Sequence, residues 1–227
     1  IVSSLDGGAS KTEEWVIKNQ KYIFVIVILV TLLVLGSLGF NKYIQEPKES
    51  QATNDMFQSQ QYFDQAVNGA SKDSLFTLAL NGADGKYGFL DIADLYSGSK
   101  AGNLANYYAG IAYLNMKDYS NAVTYLNNFS SEDDVLGPIS KGAIGDAFVQ
   151  LEQLEDAYGY YVEAAKLKSN IYTTPMYLYK AGVIGLKIDK YNKALAFFNQ
   201  IKLEFPDSAE AKDIDVFIGK AEAALNQ

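Results

Sequence analysis

One phrase occurs three times between Gly110 and Pro206, and it limits the fold more than any other feature of the chain. Its first copy reads Gly110-x-x-Tyr113, then Tyr119-x-x-Ala122-x-x-x-Leu126. The second reads Gly145-x-x-Phe148, then Leu154-x-x-Ala157-x-x-x-Tyr161-x-x-Ala164. The third reads Gly182, then Tyr191-x-x-Ala194-x-x-x-Phe198, and closes with Pro206. Matched positions lie 35 and then 37 residues apart. An interval of that size marks a supersecondary unit that cannot bury its apolar face alone and stacks on its neighbours. A small residue at Gly110, Gly145 or Gly182 on one helix lets a second helix approach closely, and Ala122, Ala157 or Ala194 does the same from its side. Large residues three or four positions away then fill the space between neighbouring units. Apolar stripes alone would fit an ordinary helical bundle equally well; the Gly/aromatic/Ala/aromatic order in three copies favours a stack.

This phrase resembles the tetratricopeptide repeat, whose unit is about 34 residues in two antiparallel helices. The resemblance implies an all-α solenoid. A more degenerate fourth unit aligns through Tyr96-Ser97-Gly98-Ser99, which sits where Phe205-Pro206-Asp207-Ser208 sits in the last. That alignment puts Phe76 and Phe89 at large core positions and a loose loop at Gly82, Gly85 and Gly88. Repeats are therefore expected over 73–207. Gln51 to Val67 reads as a connecting or N-capping helix within 42–72, with Met56, Phe57, Gln60 and Phe63 on one side. Asp207 with Glu210 gives a capping-box pattern for a final helix, Ser208 to Asn226, in a C-terminal capping segment, 208–227, that covers the open end of the stack. Thr174-Pro175 predicts an N-cap followed by Pro at the first helical position, and Asp118 caps the helix after it.

From Tyr22 to Asn41 no residue is charged, and Ile23 to Leu35 is apolar apart from Thr31. At about 1.5 Å per residue this run spans about 30 Å, the thickness of a bilayer's hydrocarbon core. Lys21 and Lys42 bracket it, and Trp15, Tyr22 and Tyr43 stand where aromatic rings settle at a membrane interface. A transmembrane helix is expected over 22–41, after an N-terminal tail, 1–21. A cleaved signal peptide is the competing reading, since Ser37 and Gly39 make a small-x-small site. The length of the run and the Glu13-Glu14 pair, in what should be a basic leader, argue against it. Lys11, Lys18 and Lys21 precede the span and Lys42 and Lys48 follow it, a small bias that places the N-terminus in the cytoplasm. From Lys42 onward 16 lysines face 24 acidic residues, so the larger part is expected to stand off an anionic lipid surface. Gly36-x-x-Gly39 permits close packing against a membrane partner but lacks the four-residue spacing of the helix-dimer seam. Because the chain begins at Ile1 and not Met, it reads as a piece of a longer product.

Composition narrows the function. Nineteen basic against 27 acidic side chains give a net charge of -8, the wrong sign for a phosphate-neutralising surface, so nucleic acid is not an expected partner. There is no Cys, His or Arg. Thiol nucleophiles, imidazole bases, the usual zinc ligands and bidentate phosphate forks are thus missing, and no enzyme, cofactor or small-molecule substrate is expected. Glu132-Asp133-Asp134 could suggest a cation site, yet it lacks the spaced oxygens and Gly of a calcium loop and reads as a solvated loop. Asp84, Asp91 and Asp94 could be imagined as paired carboxylates for acid-base work, but read as exposed helix and loop residues.

A solenoid of this kind presents a concave groove lined by its first helices, so groove residues follow from the phase of the repeat glycines. They are Leu104, Tyr107, Ile111, Leu114 and Asn115 in one unit, then Asp146, Val149 and Gln150. Met176, Tyr179, Val183, Leu186 and Lys187 complete the set. Tyrosine-rich apolar surface suits extended or partly folded peptide, where rings give contact area at modest entropy cost; the competing reading is that many of these residues pack against a neighbouring helix. The Lys and Asn pattern that clamps a C-terminal carboxylate in some repeat proteins does not occur at these positions.

A single N-terminal span followed by such repeats is similar to the YfgM-type family, the ancillary subunit of the bacterial SecYEG translocon. The stretch FLDIADLYSGSKAGNLANYYAGIAYL is also similar in wording to repeat proteins of this layout in Bacteroidota. The likeness covers about residues 11 to 225 and lies in architecture. It implies an inner-membrane protein whose periplasmic repeats meet the translocon, periplasmic chaperones and secreted polypeptides. The alternative is a scaffold for another envelope complex in outer-membrane assembly, secretion or division. A chain without Cys has no lipobox, which counts against the lipoprotein subunits of outer-membrane assembly.

Overall fold

A computed structural model of the chain describes residues 2–69 and 72–226, with side chains from Glu13 onward. The first residue of the expected tail, the end of the 42–72 segment at 70–71 and the last residue of the chain lie outside the described residues, as does the side chain of Lys11. Every regular element among the described residues is helical. The chain divides into two compact units, Ile1–Ser50 and Gln51–Gln227.

The first unit holds α1 (Val2–Phe40), a π-helical turn (Asn41–Gln45) and the start of α2 (Glu46–Asn68). It contains a helix long and apolar enough to cross a membrane, and that apolar window has no buried residue. Side chains such as Phe24, Leu29, Leu33 and Leu38 are 55–73 % exposed, an arrangement that costs little only where the surroundings are themselves apolar. The one hydroxyl between Tyr22 and Leu35 is turned inward: Thr31 Oγ1 donates to the Val27 carbonyl at 2.8 Å.

In the second unit α2 buries Ala52, Met56, Ser59, Phe63 and Ala66. These alternate at intervals of four and three, the stripe a helix turns toward one partner. Phe57, expected on that side, is 61 % exposed, because one residue beyond Met56 is about 100° further round the helix. Phe63 meets Phe76 of α3 (Lys72–Asn81) and Phe89 of α4 (Phe89–Leu95) edge-on at 5.5 and 6.1 Å. Both phenylalanines are fully buried, as the degenerate repeat anticipated. The loop between α3 and α4 folds back on itself. A Cβ at Gly88 would lie 2.0 Å from the Leu80 carbonyl oxygen, and Gly82 has φ +77°, so both positions need glycine.

Six helices follow: α5 (Lys100–Asn115), α6 (Tyr119–Asn128), α7 (Leu136–Gln150), α8 (Leu154–Leu167), α9 (Thr173–Lys187) and α10 (Tyr191–Glu204). They form three antiparallel hairpins of one geometry. An added Cβ at Gly110 would meet Leu126 at 2.5 Å, one at Gly145 would meet Tyr161 at 2.6 Å and one at Gly182 would meet Phe198 at 2.4 Å. Each partner lies sixteen residues on, and Ala122, Ala157 and Ala194 are fully buried beside it.

The hairpin turns repeat as well. Lys117, Glu152 and Asp189 all take positive φ, at 64°, 60° and 61°. The next amide donates five residues back in each case: Asp118 to Tyr113, Gln153 to Phe148 and Lys190 to Gly185, at 2.8–2.9 Å. This is the Schellman ending of a helix, built with non-glycine residues at its left-handed position. Asp118 Oδ1 then accepts from the Asn121 amide and caps α6, as expected.

Two expected caps are corrected. Helix α9 starts at Thr173, because Asn170 Oδ1 accepts from the Tyr172 and Thr173 amides while Thr174 Oγ1 accepts from the Asn170 amide. Pro175 is therefore the third helical residue, where an amide hydrogen has no intrahelical partner to lose. The final helix does not run from Ser208. A 3-10 turn (Glu210–Asp213), in which Ala211 N–H reaches Ser208 Oγ, precedes α11 (Ile214–Leu225). Glu210 opens that turn and makes no capping box with Asp207.

Candidate functional site

None of the expected groove residues is fully buried. Asn115, Gln150 and Lys187 are exposed; Leu104, Tyr107, Ile111, Leu114, Asp146, Val149, Met176, Tyr179, Val183 and Leu186 are half-buried. Each apolar member packs one flank on a core cluster and leaves the other outward. Tyr179, for instance, meets Phe217 edge-on at 4.9 Å, and Tyr107 meets Phe129 at 5.2 Å.

Five of the thirteen come together. Leu114 and Asn115 from α5 share a pocket of about 430 Å³ with Asp146, Val149 and Gln150 from α7. Lys117, Tyr119 and Tyr161 complete its wall. The remaining eight lie outside this pocket.

Its polar wall centres on Asp146. The carboxylate accepts from Tyr161 Oη at 2.5 Å and from Lys180 Nζ at 2.7 and 2.9 Å. The same ammonium lies 5.4 and 5.8 Å from the ring centroids of Tyr161 and Tyr177, within cation–π range. Burial first, and then the bond to Asp146, push the Tyr161 phenol well above its ordinary range. Burial does the same to Tyr177, aided by the Asp146 charge. Tyr161 therefore stays a protonated donor, and Asp146 accepts two bonds on Oδ1 and one on Oδ2. The cluster holds α7, α8 and α9 in register and gives the pocket one polar side.

Sequence reasoning nominated Asp146 but not Lys180, its partner 34 residues on. The usable signal was opposite charge near the same phase of successive units. Tyr161 had been assigned only to the core, and it serves both roles.

The acidic candidates resolve into structural roles. Asp133 Oδ1 accepts from the amides of Val135 and Leu136 at the start of α7, which holds its carboxyl below the usual range. Glu132 and Asp134 lie 3.7 and 4.0 Å from Lys168 Nζ. Asp91 Oδ2 accepts from the Gly88 amide at the start of α4, Asp94 lies within that helix and Asp84 is a left-handed loop residue. Among the described residues no group of three or more Cys, His, Asp or Glu side chains could hold a metal ion. Comparison with protein-family models, with curated proteins and with solved structures finds no match to this chain.

Proposed function

We propose that this chain is a non-enzymatic, membrane-anchored protein-interaction module whose tetratricopeptide-like repeats form an α-solenoid. In this reading the N-terminal helix anchors the chain in the bacterial inner membrane, with its N-terminus in the cytoplasm and the repeats in the periplasm. There it serves as an accessory of the Sec translocon, holding chaperones or emerging polypeptides. The observation that carries the reading is the helix pair repeated three times in one register, with half-buried tyrosine and leucine side chains at the same phase of the first and third. Such a face offers contact area without chemistry. Confinement to a membrane raises the local concentration of the repeats near a co-resident channel, so weak contacts suffice.

The test is gentle detergent extraction of the tagged protein, crosslinking and mass spectrometry. Recovery of translocon subunits supports the secretion role, and recovery of an outer-membrane assembly, secretion or division complex transfers the module to that machine. Asn115→Arg combined with Gln150→Arg should empty the crosslinks from the pocket without changing helicity, since both side chains are exposed. An unchanged crosslink map would refute the assignment of this face. Protection of the repeats from protease in spheroplasts would overturn the orientation.

A further inference from the structure

Two of the three most exposed large apolar side chains among the described residues of the second unit line one pocket. Leu203, Tyr172 and Ile171 are 78, 73 and 68 % exposed. Ile171 and Tyr172 precede α9, and Leu203 stands in the last turn of α10. The pocket, of about 430 Å³, is lined by Phe205 and Pro206 as well as by Ile171 and Tyr172; Leu203 is not part of its lining. This is not the tyrosine face of the hairpins; it lies at the loop edge, where one hairpin hands over to the next element.

The equivalent corners of the earlier hairpins are bridged by their own side chains, although the first also opens into a polar pocket of about 490 Å³ lined by Asn103, Asn106, Asn128 and Ser130. Asn103 Nδ2 donates to the Ser130 carbonyl at 2.7 Å while Asn103 Oδ1 accepts from the Ser130 amide at 3.0 Å. At the next corner Asn170 Nδ2 reaches the Asp134 carbonyl at 2.8 Å, and Lys168 stands near Glu132 and Asp134. At the third corner no hydrogen bond among the described residues links 171–172 to 204–210. The rim carries Glu204, Asp207 and Glu210 and no lysine. None of these carboxylates forms an ion pair within 4.0 Å among the described residues; Glu204 accepts only from Gln200. Of the two nearest lysines in sequence, Lys202 is committed to Asp215 at 2.7 Å, and Lys212, two residues beyond Glu210, forms no ion pair within 4.0 Å among the described residues.

Uncompensated negative charge around an open apolar pocket selects an occupant that supplies both missing parts. We propose that this corner docks a cationic segment of a partner protein, seating one aromatic or aliphatic side chain between Tyr172 and Pro206 with flanking lysines or arginines on the three carboxylates. The site is independent of the pocket at Asp146, so it stands or falls apart from the function proposed above.

The probe is a fluorescein-labelled hexapeptide, Lys-Lys-Trp-Leu-Lys-Lys, titrated into the full chain held in phosphatidylcholine nanodiscs, with empty discs as baseline and Glu-Glu-Trp-Leu-Glu-Glu as the charge-reversed comparison. Binding of the cationic peptide should exceed that of the acidic one by about tenfold or more, and should weaken as salt rises from about 0.05 to about 0.5 M. The isosteric set Glu204→Gln, Asp207→Asn and Glu210→Gln should cost about tenfold, as should Tyr172→Ala alone. Both alter exposed or rim side chains, and unchanged helicity and melting confirm an intact fold. Asn115→Arg with Gln150→Arg should leave this binding unchanged. Equal binding of the two peptides, no binding above empty discs, or binding indifferent to both corner variants overturns the proposal. Loss on the Asn115 and Gln150 exchange would move the site to the other pocket.

Discussion

Exchange of Gly182 for Ala adds one methyl group at the closest approach of α9 and α10. The new Cβ would lie 2.4, 2.6 and 3.0 Å from Cε1, Cζ and Cδ1 of Phe198. Ordinary carbon contacts are about 3.5–4.0 Å, so the ring must withdraw by about 1 Å. It has little room, because Phe198 is fully buried and backed by Phe217 at 5.5 Å and Tyr179 at 6.4 Å. Overpacking of this kind costs about 1–3 kcal/mol, and displacement of a backed ring belongs at the upper end. Alanine returns about 1 kcal/mol in helix propensity. The net loss is about 2 kcal/mol, which lowers Tm by about 4–8 °C for a unit of this size. Gly159, on the exposed side of α8, has nothing within 4 Å of its added Cβ. Gly159→Ala should therefore keep the propensity gain alone and stabilise by up to about 1 kcal/mol. The assay is urea and thermal unfolding of the full chain in mild detergent, followed by circular dichroism with both variants side by side. A Gly182→Ala protein as stable as its parent would refute the close-approach argument for Gly110 and Gly145 too.

Glu152→Gly should stabilise by about 1 kcal/mol in the same assay, because it relieves a left-handed residue at the end of α7. Tyr161→Phe should cost about 1 kcal/mol, the value of one hydrogen bond to a partly solvated carboxylate. Alkaline pH should weaken the fold. The bond to Asp55 raises Tyr96 from 10.0 to about 12, and burial raises Tyr161 and Tyr177 further. Phenols raised above their unfolded value contribute stability that is complete below pH 10 and is lost as pH climbs through about 12. Phenolate absorbance followed together with helicity checks this: ionisation of these tyrosines should coincide with unfolding.

The hairpin contacts were legible in the sequence because a glycine sixteen residues before a large side chain, with alanine between, has one efficient packing solution. Other features were not legible, for identifiable reasons. Lys117, Glu152 and Asp189 take left-handed backbone without the Gly or Asn that announces it, so the turn is visible only in its hydrogen bonds. Thr174-Pro175 looked like a cap because its two residues suit one, but Asn170, three residues before the helix, reaches its amides first. Gly142 carried no signal at all. Its added Cβ would fall 1.9 Å from Tyr177 Cε1, a contact between successive hairpins that no spacing within one unit encodes. The site divided in the same way: phase nominated five of the eight residues that line the pocket, while Lys117, Tyr119, Tyr161 and the Asp146–Lys180 pair needed knowledge of how far one hairpin slides along the next.

That slide is controlled largely by tyrosine. With 17 Tyr and 12 Phe and no Arg or His, the chain has few other side chains that fill a helix interface and still reach a polar partner. Tyr119 of α6 donates to Gln150 of α7, Tyr160 of α8 to Asn127 of α6, and Tyr161 of α8 to Asp146 of α7. The rings of Tyr160 and Tyr161 lie against apolar clusters, and all three hydroxyls reach across to another helix. Apolar contact alone tolerates sliding by a turn, since ridges and grooves repeat; a hydroxyl that must meet one amide or carboxylate does not. The tyrosines thereby give direction to helix pairs whose glycines and alanines give only closeness.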